Sequence, residues 1–150
     1  EPAGVMMAGL IWLHEEALRG DHPVFATASG ATAVFCWDVD YMAAADIGLR
    51  RQIFIYESLL DLEVTIIRGA ASKVLPVVAR RDQATQLFVP DTPNPLIKQE
   101  LWKVKAALAG MTVELVPERL FVQLGVQPDL SRFFRYWNKA RKQALRRGGI

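Results

Sequence analysis

Two histidines, His14 and His22, stand close together among Glu15, Glu16 and Asp21, and the single cysteine, Cys36, sits between Phe35 and Trp37. Imidazoles beside carboxylates can move protons or bind a metal. Their spacing fits no zinc motif, so they read as the polar lining of a loop, and no metal site is assigned. Cys36 lies in an apolar run and reads as a small buried hydrophobe, which leaves the chain without an assigned nucleophile or catalytic residue. Trp37 is followed directly by Asp38. An aromatic beside a carboxylate can stack on a planar chromophore and hydrogen-bond to it; the pair also reads as a core Trp followed by a turn-forming Asp.

The usual phosphate cradles are missing. No G-x-G-x-x-G follows the first apolar run, no G-x-x-x-x-G-K-[ST] occurs, and there is no G-x-S-x-G elbow. Cations gather instead at the end of the chain. Arg132, Arg135, Lys139, Arg141, Lys142, Arg146 and Arg147 occur with no acidic residue among them, although the net charge is only +2. A helix capped by Ser131 would carry Phe133 and Trp137 on one face and Arg132, Arg135, Lys139 and Arg146 around the other. That arrangement fits a protein partner first, and phosphate of nucleic acid or an anionic membrane surface after it. The alternative is that both aromatics pack on their own domain under a solvated basic face.

The elements that position these residues alternate short apolar runs with longer helical periods. Val5 to Leu13, Thr32 to Trp37, Glu63 to Ile67, Gln86 to Val89 and Thr112 to Val116 read as five strands. Asp21-His22-Pro23 opens a short helix that ends by Gly30. Leu49, Ile53, Tyr56 and Leu60 form one stripe of a helix over about 48–61, expected to pack on the sheet. Ser72 is expected to cap a helix to about Arg81, and Asn94-Pro95 starts another whose stripe is Ile97, Leu101, Val104 and Leu108. Pro117 to Pro128 reads as an extended connection.

The implied fold is α/β: a doubly wound, mostly parallel, Rossmann-like sheet with helices on both faces, over 1–128, followed by a basic amphipathic helix over 129–150. In such sheets ligands bind beyond the carboxyl ends of the strands. The candidate ligand residues are therefore His14, Glu15, Trp37, Asp38, Arg68, Gly69 and Asp91.

With 150 residues, 51% hydrophobic and 23% charged, the chain has the size and composition of one packed domain. The apolar run Met6 to Leu13 is followed at once by His14, Glu15 and Glu16, and no run reaches the roughly 18 residues a membrane span needs. Nothing positive precedes that run and no small-residue cleavage site follows it, so it is a poor signal peptide. One cysteine favours a reducing, cytoplasmic compartment.

The order of segments resembles the N-terminal, antenna-binding domain of the photolyase/cryptochrome family. Leu10-Ile-Trp-Leu-His14 is similar to that family's Val-Trp-Phe-Arg strand, and Asp21-His22-Pro23 to its Asp-Asn-Pro loop. Ala33-Val-Phe-Cys-Trp-Asp38 resembles its Pro-Val-Phe-x-Phe-Asp strand end. The most specific stretch is Arg51-Gln-Ile-Phe-Ile-Tyr-Glu-Ser-Leu-Leu-Asp-Leu62, which resembles Arg-x-x-Phe-Leu-x-Glu-Ser-Leu-x-x-Leu. Ile67-Arg-Gly69 with Val74-Leu-Pro76, and Phe134-Arg-Tyr-Trp137, match two further elements. His14 stands where the family usually has Arg, and Glu100-Leu101 where an Arg-Asp pair is frequent.

The resemblance implies an antenna pigment, a flavin, deazaflavin or folate, at the strand ends. It stops where the family's helical flavin domain begins, which implies a non-catalytic binding module or assembly subunit, or half of a split photolyase whose flavin domain is on another chain. An unrelated nucleotide-binding α/β module is the third reading.

Overall fold

Strand residues that alternate between two apolar faces must be covered on both sides, and this alternation organises the molecule. The computed structural model describes residues 8–119. Its strands are β1 (Gly9–Leu13), β2 (Thr32–Trp37), β3 (Thr65–Arg68), β4 (Gln86–Pro90) and β5 (Thr112–Val116). Between them run α1 (Pro23–Thr27), α2 (Val39–Ala44), α3 (Leu49–Asp61), α4 (Ala71–Arg81) and α5 (Pro95–Ala107). The strand order is β3-β2-β1-β4-β5, and every neighbouring pair is parallel. The sheet is thus wholly parallel and reverses its winding between β1 and β4.

On β1, Leu10 and Trp12 enter a core layer with Leu75 and Val78 of α4 and Leu101 and Val104 of α5. Ile11 and Leu13 point the other way, into a layer with Val24 of α1, Met42 of α2, and Ile55 and Leu59 of α3. Leu10, Leu13, Leu59, Leu75 and Leu87 are fully buried, and each such side chain contributes roughly 1.5–3 kcal/mol. Asn94 caps α5 through Oδ1, which accepts from the Leu96 N–H at 3.0 Å, with Pro95 at the first helical position. His22 does the same for α1: Nδ1 accepts from the Val24 N–H at 3.0 Å.

Several expectations need correction. The stripe Leu49, Ile53, Tyr56 and Leu60 does not pack on the sheet; these residues are 72%, 50%, 48% and 58% exposed. α3 seats Ile55 and Leu59 instead, because it carries two apolar faces and only one can meet the sheet. Helix α2 was not expected. Asp38 nucleates it by accepting from the Asp40 and Tyr41 N–H groups at 3.0 and 3.2 Å. The cap of α4 is Ala70, which offers no side-chain hydrogen bond, and Ser72 lies inside the helix. β3 begins at Thr65, after a turn in which Glu63 takes φ 54°, and runs to Arg68. Within the described residues β1 begins at Gly9; Val5 to Met7 lie outside them. The basic segment with Arg132, Phe133, Arg135, Trp137, Lys139 and Arg146 also lies outside the described residues.

Candidate functional site

β1 and β4 diverge beyond Leu13 and Pro90 at the reversal of the sheet, the place where open α/β sheets usually hold a ligand. Here the chain fills that crevice with its own polar groups. His14 is 4% exposed; its Nε2 donates to the Pro90 carbonyl at 2.8 Å, and its Nδ1 accepts from the Glu16 N–H at 3.3 Å. Glu16 in turn accepts from the Thr92 hydroxyl and from Asn94 Nδ2, the latter at 2.7 Å. Burial pushes the Glu16 carboxyl up, but the hydrogen bonds from Thr92 and Asn94 and the charge of Arg51 prevail and hold it below its ordinary value. The loop after β1 is therefore stitched to the loop after β4.

Open space lies on the other side of β1. A cleft of about 550 Å³ opens at the carboxyl ends of β2 and β3, with Trp37, Asp38, Arg68, Gly69, Lys73 and Lys103 in its walls. Trp37 leans on Phe35, with ring centroids 6.1 Å apart, and meets Tyr56 edge-on at 6.2 Å. Lys103 pairs with Glu100 at 2.9 Å. Arg68 and Lys73 make no ion pair among the described residues. Gly69, at φ 136°, turns the chain from β3 into α4 and donates its N–H to the Trp37 carbonyl at 3.0 Å.

A second cavity of about 30 Å³, room for one or two waters, shares Asp38, Tyr41 and Glu100 with the cleft. His14, Glu15 and Cys36 also line it. The Tyr41 hydroxyl donates to Glu15, and burial together with that carboxylate raises its pKa, so the phenol stays protonated. Burial and the nearby Asp38 push the Cys36 thiol up to about 12, which leaves it a poor nucleophile.

The structure thus gathers Trp37, Asp38, Arg68 and Gly69 in one cleft and sets His14 and Glu15 at the adjoining small cavity. Asp91 lines neither; its carboxylate accepts from the Thr92 N–H at 2.9 Å. Sequence reasoning missed Tyr41, Lys73 and Lys103. Lys73 was open to discovery, since it lies in the first turn of the helix expected after β3. Among the described residues no cluster of His, Cys, Asp and Glu could hold a metal ion, and no helix is long and apolar enough to cross a membrane.

A wholly parallel sheet of order β3-β2-β1-β4-β5, with its open cleft at the carboxyl ends, defines a doubly wound, Rossmann-like α/β domain. Among the solved structures that the fold is similar to is an archaeal photolyase from Sulfolobus tokodaii, which matches with a TM-score of 0.52 and 14% identity over 89% of this chain. At that identity the likeness is one of fold. The match spans 35% of the length of that photolyase. No family model matches the sequence, and no curated protein matches it.

Proposed function

We propose that the chain is a non-catalytic photolyase-like binding domain that holds a planar, phosphate-bearing ligand of pigment or nucleotide type at the ends of β2 and β3. The observation that carries this reading is the cleft of about 550 Å³, whose volume lies within the range of small-molecule sites. Trp37 supplies an aromatic wall, and Arg68 and Lys73 supply cations that make no ion pair among the described residues, with Asp38, Asp40 and Glu100 elsewhere in the same walls. Ala70 and Ser72, at the start of α4, border the same space, and no side chain caps that helix. Free N–H groups and two cations together suit an anion. The archaeal photolyase is described with two FAD molecules and an implied novel light-harvesting cofactor, which supports flavins as the first probes.

Titration of FMN and of FAD against the protein, followed by flavin fluorescence, tests this reading. Arg68→Glu and Lys73→Glu are expected to weaken binding about tenfold or more while leaving the melting temperature unchanged. Absence of binding, or affinity indifferent to both substitutions, overturns it. The 35% span of the photolyase supports a second reading, in which a flavin-bearing helical domain is supplied from elsewhere. Its sign would be a flavin-containing polypeptide that co-purifies with the chain.

A further inference from the structure

The outward face of α3 is a feature that a ligand-holding role leaves unexplained. Leu49, Ile53, Tyr56 and Leu60 are about half exposed or more, although one side of the Tyr56 ring meets Trp37. Their spacing of four, three and four residues is that of a helix–helix seam. It runs roughly 16 Å along the helix at 1.5 Å per residue. Contiguous apolar exposure of this kind marks an interaction site.

The charges beside the seam say what fits it. Arg50 and Glu57 lie seven residues apart on one edge of the stripe, and neither makes an ion pair among the described residues. The other edge turns toward the buried Ile55 and Leu59. A two-fold axis perpendicular to the helix brings like edges together in reverse order. Leu49 then meets Leu60 of the second copy, Ile53 meets Tyr56, and Arg50 meets Glu57, each contact occurring twice. A parallel pairing would instead set the charged edge against the edge that turns into the domain.

We propose that the α3 face is an isologous interface at which a second copy of this chain packs its own α3 antiparallel, with Ile53 and Tyr56 at the centre and Arg50–Glu57 pairs at the rim. This is the self-complementarity that a two-fold contact requires.

Sedimentation equilibrium of the 150-residue protein is expected to give twice the monomer mass. Because the seam is exposed, Ile53→Asp is expected to give monomer with an unchanged melting curve. Arg50→Glu sets like charges opposite one another and is expected to weaken the dimer about tenfold, and adding Glu57→Arg is expected to restore it. A monomeric wild-type protein, or a dimer that survives Ile53→Asp, overturns the interface. A double charge reversal that fails to rescue overturns its antiparallel geometry.

Discussion

His14 Nε2 lies 2.8 Å from the carbonyl oxygen of Pro90, 76 positions away in the chain, and this bond joins the carboxyl ends of the two strands between which the sheet reverses. A second tie runs alongside it, from Glu16 to Thr92 and Asn94. A crevice that would otherwise be open is thereby closed, and the accessible cleft is displaced to β2 and β3. The hydrogen-bond pattern sets the tautomer of His14: Nε2 carries the hydrogen and Nδ1 keeps its lone pair for the Glu16 N–H.

His14→Ala is therefore expected to cost about 1–3 kcal/mol for the orphaned Pro90 carbonyl, with a further loss from the cavity left behind. Urea denaturation checks this. Stability equal to wild type would mean that water or a neighbour takes over the carbonyl and that the bridge does not hold the two loops.

Two groups give the stability a pH dependence of the same sign. Glu16 is held below its ordinary value of 4.5, so the unfolded chain takes up its proton first; this stabilisation is present above about pH 4.5 and is lost as pH falls through the folded value. His22 is held below its ordinary 6.5, chiefly by burial, and its Nδ1 lone pair caps α1. Acid again favours the unfolded chain, here as pH falls from 6.5. In melting experiments across pH, His22→Asn, which keeps a capping acceptor without titrating, is expected to flatten the upper part of the slope, and Glu16→Gln the lower part. Unaltered slopes would assign the acid loss to other groups.

Cys36 should resist alkylation. With its thiol at about 12, the thiolate fraction at pH 8 is on the order of a thousand times smaller than in an unfolded chain. Iodoacetamide labelling followed by intact mass should be slow in the native protein and fast in urea. Equal rates would show that Cys36 is reached without unfolding.

The parts legible in the sequence were those written in local signals. Asn94-Pro95 with Ile97, Leu101 and Val104 gave α5 its start and its buried face, because a cap, a fixed φ and one stripe all agree. α3 defeated the same reasoning. It has an exposed stripe through Leu49 and Leu60 and a buried pair at Ile55 and Leu59, and periodicity detects a stripe without saying which side the sheet is on. α2 was missed because six residues hold too little periodicity, and Asp38 serves a turn or a cap equally well. Trp37, Asp38, Arg68 and Gly69 were found together because strand ends converge in a parallel sheet. The stitch from Glu16 to Thr92 and Asn94 was not, since contacts across such separations leave no mark on either local segment.

Gly69 links the backbone to the cleft. Its φ of 136° is a conformation that side chains strain against, and a Cβ there would stand 3.0 Å from Val74 Cγ2. Gly69→Ala is accordingly expected to lose about 1–3 kcal/mol. The two causes separate in a double variant, since Val74→Ala removes the clash but not the torsional strain. If backbone strain dominates, Gly69→Ala/Val74→Ala is no more stable in denaturant titration than the sum of the single changes allows. Recovery well beyond that sum would place the constraint in the Val74 contact, and other residues at position 69 would then be tolerated wherever that side chain is trimmed.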